Sequence, residues 1–154
     1  MARGDLFMAK MKFVSPQQYA TNLGQVIQST EDAGNKVAPF FEKLDDAIKA
    51  DQVADMPKAD FQEISVEFDE AVAVYKDASA KINAMAAPVR LMGLHQSMKK
   101  TFTEYAAATE AMAESLNVAD QSIDMDKFKQ SEADQDSLME KFLVQVRRIL
   151  TTAM

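Results

Sequence analysis

Few residues in this chain could do chemistry, and its single histidine is the first of them. His95 falls at an apolar position of a helical pattern, where it could ligate haem, ligate a metal or transfer a proton. A methionine on a facing helix could supply a second haem ligand, since the chain has 11 methionines. The alternative is a histidine at the edge of the core, hydrogen-bonded to Tyr19 or to a helix end. The sequence favours this alternative, so we predict no cofactor and keep His95 as the candidate ligand if one binds.

Carboxylates are numerous, but their spacing lacks the patterns of metal sites. A di-iron bundle needs Glu-x-x-His pairs, whereas Met92 stands three residues before the only histidine. The acidic turns lack the Asp-x-Asp-x-Asp-Gly of a calcium loop. The chain also has no cysteine, no Gly-x-Ser-x-Gly turn and no Gly-rich phosphate loop. We therefore predict that the protein is not an enzyme and has no metal site.

A polar interruption in the last helical pattern is the second candidate site. Ser131 and Gln135 occupy positions where that helix should be apolar. In an antiparallel bundle they lie level with Tyr105 and Thr109 of the third helix and with the first helix near Pro39. Such a patch could line a small-ligand cavity, with these four polar residues as its candidate binding residues. Alternatively the fourth helix diverges at this end and exposes Ser131 and Gln135 to water, which is the interpretation the sequence favours.

Four helices must position these residues. Apolar side chains recur at steps of three and four along four segments, about 16–50, 57–86, 88–117 and 125–151. Pro39 falls inside the first segment, and because the apolar pattern keeps its phase there, we predict one helix kinked near Pro39, with two shorter helices as the alternative. Short connections make consecutive helices antiparallel. The predicted fold is an all-α, up-down-up-down antiparallel four-helix bundle over residues 15–154, preceded by an N-terminal extension, residues 1–14.

The connecting turns indicate a duplicated helical hairpin. Residues 50–58 read ADQVADMPK and residues 119–127 read ADQSIDMDK, which are identical at six of nine positions. Asp55 and Asp124 are the predicted N-caps of the helices that follow. The second and fourth helices also align, with Phe61 matching Phe128. Because each hairpin leaves an apolar face uncovered, we expect neither half to fold alone.

The charge of the chain restricts its partners. A net charge of −7 disfavours binding to the phosphates of nucleic acids and to anionic membrane surfaces. No run approaches the roughly 18 apolar residues of a membrane span. We predict a cytoplasmic protein, with an exported or cell-envelope protein expressed without its signal as the alternative. Apolar residues of the N-terminal extension are expected to pack on the bundle or on a partner chain: Phe7, Met8, Met11 and Phe13.

One short motif supports a resemblance. Ala87-Pro88 is followed after six residues by His95 and after two more by Met98; a helix, an Asp-containing turn and a final helix come next. In this the chain resembles a broad set of small bacterial helical-bundle proteins, many of them lipoprotein-like or secreted. The resemblance covers about residues 15–150, implies a helical bundle and implies no catalytic residues. The sequence departs from the set in lacking a lipobox cysteine.

Two functional predictions follow from the sequence. The first is a non-catalytic bundle that binds a protein partner or self-associates, because catalytic motifs are missing and the N-terminal extension is apolar. The second is a small-ligand or haem-binding bundle that uses His95 or the Ser131/Gln135 polar patch.

Overall fold

Four long helices account for most of the chain. The computed structural model describes residues 14–153, with helices α1 (Pro16–Lys49), α2 (Lys58–Ala84), α3 (Met92–Glu114) and α4 (Met125–Ala153). A 3₁₀ turn (Val89–Leu91) precedes α3, and two short strands, β1 (Leu116–Asn117) and β2 (Ser122–Ile123), pair between α3 and α4. The predicted all-α fold with four helices is confirmed. Within residues 14–153, no helix is both long enough and apolar enough to cross a membrane.

Helix α1 begins as its sequence predicts and runs on past its internal proline. The Ser15 hydroxyl accepts the Gln18 N–H at 2.9 Å, and Pro16 stands at the first helical position. Pro39 has no N–H for the Asn35 carbonyl, but both residues are exposed, so water can satisfy that oxygen. The single helix is therefore observed, while the kink near Pro39 stays a prediction.

Contacts between consecutive helices run in opposite chain directions. From α1 to α2, Lys36 pairs with Glu70 at 3.1 Å, whereas the later Lys43 pairs with the earlier Asp60 at 3.0 Å. The same reversal holds further along the chain: Lys76–Glu110 and Ser79–Thr103 join α2 to α3, and Phe102–Phe142 and Glu114–Lys127 join α3 to α4. These contacts support antiparallel neighbours, and the full up-down-up-down order stays a prediction.

The core consists of two clusters of buried side chains. The first cluster has Tyr19, Phe102 and Phe142 among its largest members, and Val14 packs against its edge. The second cluster lies toward the repeated turns and includes Leu44, Phe61, Leu116 and Phe128. The aligned residues Phe61 and Phe128 thus share one cluster, as the repeat predicts. The predicted contacts of the N-terminal extension, at Phe7, Met8, Met11 and Phe13, all fall outside the described residues.

The two repeated turns lie against each other but differ in structure. The Gln121 side chain donates to the backbone carbonyls of Val53 at 3.0 Å and Met56 at 2.6 Å, which ties the second turn to the first. Gln121 has a φ of 52°, whereas the positive φ of the first turn, 54°, falls on Asp51. Because Asp51 aligns with Asp120 and not with Gln121, the two turns change direction at positions that are not equivalent.

The two predicted aspartate caps have different outcomes. Asp124 accepts the Lys127 N–H at 3.2 Å and caps α4, as predicted. The prediction for Asp55 is wrong, because Pro57 occupies the cap position of α2 and makes no side-chain hydrogen bond there. Proline needs no acceptor for an N–H at a helix start, and Asp60 in the first turn suits the positive end of the helix dipole.

Helix α3 is shorter than predicted at both ends. Its first predicted residues form the 3₁₀ turn instead, closed by the Leu91 N–H donating to the Pro88 carbonyl at 2.8 Å. At the other end, the Ser115 carbonyl accepts the Asp124 N–H at 2.8 Å, and β1 pairs with β2. This pairing takes the backbone of β1 out of the helix.

Replacing Gln121 with alanine is expected to lower the free energy of unfolding by about 1–2 kcal/mol. The substitution leaves partly buried carbonyl groups of the first turn without their side-chain donor. Chemical denaturation followed by circular dichroism measures the change. Gln52→Ala is the matched control, because Gln52 aligns with Gln121 yet is exposed, and it should change stability by less than about 0.5 kcal/mol. Equal losses of unfolding free energy in the two variants would contradict the conclusion that the Gln121 side chain stabilises the contact between the two turns.

Candidate functional site

A cavity of about 310 Å³ lies between the two core clusters. Its floor combines Tyr75 and Tyr105 of the first cluster with Phe68 and Met112 of the second. All four helices contribute to its wall, and its exposed lining residues, Ala38, Glu42 and Asp136, put the mouth between α1 and α4. A cavity of this size lies within the range that holds small organic ligands.

The cavity forms where the bundle is least tightly closed. Of the helices that adjoin one another around the bundle, α1 and α4 pack together least closely. On the α1 side the wall includes two small residues one turn apart, Gly34 and Ala38, beside the larger Phe41. A Cβ at Gly34 would lie 3.4 Å from the Tyr75 hydroxyl, so the glycine leaves open the space over that group. The cavity therefore lies beside Pro39 because small side chains line α1 where it packs only loosely against α4.

Two buried tyrosines supply the main polar groups of the floor. The rings of Tyr75 and Tyr105 meet edge to face, with centroids 5.4 Å apart and planes at 76°. Burial raises the pKa of both phenols, and for Tyr105 the neighbouring Tyr75 and the Asp136 carboxylate raise it further. Both groups therefore stay protonated at physiological pH. Each phenol therefore keeps a hydroxyl hydrogen that can donate to a ligand or to water.

The remaining polar side chains of the wall keep unused acceptor atoms. The Thr109 hydroxyl donates to the Ala106 carbonyl at 2.7 Å, which leaves its oxygen lone pairs available. The Gln135 amide nitrogen lies 3.6 Å from the Met112 sulfur, a contact that leaves the amide oxygen available. The wall thus offers oxygen acceptors above an apolar floor.

Three of the four candidate ligand-binding residues line this cavity: Tyr105, Thr109 and Gln135. Ser131 does not, because its hydroxyl is buried and donates to the Phe128 carbonyl at 2.8 Å. The predicted exposure to water is wrong for Ser131, which is only 2% exposed, whereas Gln135 is partly exposed. The Ser131 hydroxyl therefore has its hydrogen-bond acceptor within its own helix. Ligand binding by the other three residues stays a prediction.

Acidic side chains at the mouth are cavity residues that the sequence interpretation missed. Glu42 of α1 and Glu132 and Asp136 of α4 all line the cavity. Within residues 14–153, none of the three forms an ion pair of 4 Å or less. The sequence feature that could have identified them is the spacing of Glu132 and Asp136, which lie one helical turn apart on either side of Gln135. Their proximity to Glu42 depends on the packing of α1 beside α4, which the sequence does not show.

The candidate haem ligand lies elsewhere, against Tyr19 of the first cluster. His95 is 3% exposed, and its Nδ1 is 2.7 Å from the hydroxyl of the fully buried Tyr19. Its Nε2 is buried without a hydrogen bond of ordinary geometry among the described residues, although the Ile82 backbone lies close enough to raise its pKa. Burial has the larger effect and lowers the pKa of His95 below its usual 6.5. Burial also raises the pKa of Tyr19 to about 12, so the pair is neutral near pH 7.

Stability is expected to fall below about pH 6.5 through His95. The unfolded chain binds a proton at this residue in that range, whereas the folded chain resists protonation because the imidazole is buried. The free energy of unfolding should therefore fall as the pH decreases from about 7.5 to about 5.5. Denaturant titrations of the wild type and of His95→Asn, which keeps an acceptor near Tyr19, measure the contribution. The difference in stability between the two proteins should shrink with falling pH, and a constant difference would contradict the assignment.

No protein family, curated protein or solved structure matches the chain. The resemblance to small bacterial helical-bundle proteins therefore stays a prediction. Within the part of the chain that the structure describes, no group of three His, Asp or Glu side chains is arranged to hold a metal ion. The cavity between α1 and α4 is the arrangement from which a function can be argued.

Proposed function

We propose that this protein binds a small organic ligand in the cavity between α1 and α4 and catalyses no reaction on it. The observation that carries the proposal is the composition of the cavity wall. Polar groups of Tyr105, Thr109 and Gln135 line the cavity from two helices, beside buried apolar side chains such as Phe68 and Met112. Ligand sites in proteins have this character, with a mostly apolar concavity and a few fixed polar groups.

The surrounding packing also supports a pre-formed cavity. Tyr75 and Tyr105 hold each other edge to face, and Phe102 packs against Tyr105 with centroids 5.8 Å apart. Side chains fixed in this way lose little further freedom when a ligand binds, which favours affinity. The haem alternative has less support, because His95 lies outside this cavity and is engaged with Tyr19.

Binding or self-association through a protein surface is the competing function. Its support among the described residues is the exposure of adjacent apolar side chains on α4, Leu143 at 46% and Val144 at 50%. Isolated exposed apolar residues are common on protein surfaces and do not by themselves indicate a partner. The cavity therefore gives the stronger basis for a function.

A thermal-shift screen with a small-molecule library tests the proposal. A ligand present at about one hundred times its dissociation constant should raise the midpoint of unfolding by about 5–10 °C. Ala38→Leu should abolish the shift, because the larger side chain narrows the mouth of the cavity. Ala73→Leu is the matched control, since Ala73 is exposed on α2 and does not line the cavity.

Two results would contradict the proposal. One is a library of diverse small molecules in which no compound stabilises the wild type. The other is a set of ligands that stabilise Ala38→Leu as strongly as Ala73→Leu, which would place their binding outside the cavity.

A further inference from the structure

We propose that the ligand is an organic cation, an amine whose apolar body occupies the cavity and whose ammonium group lies at the acidic mouth. This inference rests on the proposed function and adds the chemical class of the ligand. The cavity and its buried tyrosines provide the site, and the carboxylates determine the charge of the molecule that the site prefers.

The charged side chains that line the cavity are all negative. Glu42, Glu132 and Asp136 stand at the mouth, and among residues 14–153 no Lys, Arg or His side chain lines the cavity. Lys49 is close enough to Glu132 for that carboxylate to raise its pKa, but Lys49 is paired with Asp45 at 2.8 Å. The carboxylates therefore give the mouth a negative potential that attracts positive ligands. The net charge of the whole chain, −7, acts in the same direction.

Aromatic rings extend this preference into the cavity. Phe41, Tyr75 and Tyr105 all line it, and the faces of such rings attract an ammonium group. The tyrosine hydroxyl oxygens and the Gln135 amide oxygen can accept hydrogen bonds from the ammonium N–H groups. Among the described residues, no positive side chain lines the wall to bind an anionic ligand. Its carboxylate would also meet the acidic mouth, so anions are disfavoured.

The volume limits the size of the ligand. At roughly 30 Å³ for each water of liquid volume, the 310 Å³ cavity corresponds to about ten waters. A compact arylalkylamine matches this space, with its ring against Phe68 and Met112 and its amine toward Glu132. A large polycationic molecule does not fit, because the floor is apolar and buried.

Isothermal titration calorimetry on the full chain tests the inference with three probes of similar shape and different charge. These are 2-phenylethylammonium, neutral 2-phenylethanol and anionic phenylacetate. The cation should bind about tenfold more tightly than the alcohol, and phenylacetate should bind more weakly still. Added salt should weaken binding of the cation and leave that of the alcohol nearly unchanged.

Charge-removing variants locate the effect at the mouth. Glu132→Gln should weaken binding of the cation about three- to tenfold while leaving that of 2-phenylethanol unchanged. Glu140→Gln is the matched control: it removes the same charge from an exposed position two turns further along α4, away from the cavity wall. It should alter binding of the cation by less than about twofold.

Each other outcome overturns the inference in a distinguishable way. If the alcohol binds as tightly as the cation and Glu132→Gln has no effect, the charge preference is wrong while small-ligand binding stands. If Glu140→Gln weakens binding as much as Glu132→Gln, the cation responds only to the general acidity of the surface. If none of the three probes binds, the inference is contradicted, while the proposed function stands or falls with the thermal-shift screen.

Discussion

Residues 1–86, produced without the second half of the chain, are expected to lose cooperative unfolding and most of their helix content. This fragment contains α1 and α2, whose buried faces are covered in the intact protein by α3 and α4. Leu44, Phe61 and Ile64 are completely buried in the intact chain, and the second cluster that covers them includes Phe128 of α4. Burial of one such side chain contributes about 1.5–3 kcal/mol, whereas a whole domain is stable by only about 5–15 kcal/mol. Loss of several buried contacts therefore exceeds the stability available.

Circular dichroism during thermal unfolding, with light scattering on the same sample, measures this prediction. The intact chain is the control and should unfold in one cooperative transition. A helical dimer of the fragment would contradict the expected loss of helix, but it would still show that each hairpin needs a second one to cover its apolar face. A cooperative, helical monomer of residues 1–86 would contradict the claim that the two hairpins depend on each other.

Phe102→Ala is expected to lower the free energy of unfolding by about 3–5 kcal/mol. Phe102 is completely buried on α3, and its ring packs against Phe142 of α4 with centroids 5.0 Å apart and against Tyr105 at 5.8 Å. Removal of the ring loses its transfer free energy and leaves a space that the surrounding helices fill only in part. The variant also removes support from the Tyr105 side of the ligand cavity.

Chemical denaturation is measured for Phe102→Ala and, as a control, for Leu143→Ala. The comparison separates the effect of removing a buried side chain from the effect of shortening any apolar side chain. Leu143 is 46% exposed on the adjacent helix, so its replacement should cost less than about 1 kcal/mol. A loss of under about 1.5 kcal/mol at Phe102 would show that the first cluster does not depend on this ring.

The sequence predicted the helices well because their apolar spacing directly reflects burial. Tyr19, Leu23 and Val26 recur at steps of four and three and are all buried on α1. The ends of α3 were less predictable, because they depend on particular backbone hydrogen bonds. The Asp124 N–H reaches the Ser115 carbonyl across the second turn, and a bond of this kind leaves no periodic signal in the sequence.

The position of the candidate site along the bundle could be predicted, but its composition could be predicted only in part. Ser131 and Gln135 indicated the correct region of α4, because a polar residue at an apolar position is unusual. Only Gln135 reaches the cavity, since the Ser131 hydroxyl finds its acceptor in the preceding turn. The acidic mouth depends on Glu42 and Glu132, which lie far apart in sequence and meet only because α1 and α4 close the bundle.

Fluorine NMR of the protein labelled with 3-fluorotyrosine tests most directly the central claim that the cavity between α1 and α4 is a ligand site. The chain has three tyrosines. Tyr75 and Tyr105 line the cavity, whereas Tyr19 is buried beside His95. Single Tyr→Phe variants assign the three resonances. Saturating 2-phenylethylammonium should shift the resonances of Tyr75 and Tyr105 and leave that of Tyr19 in place. Unchanged Tyr75 and Tyr105 resonances, or an equal shift of all three, would contradict the claim.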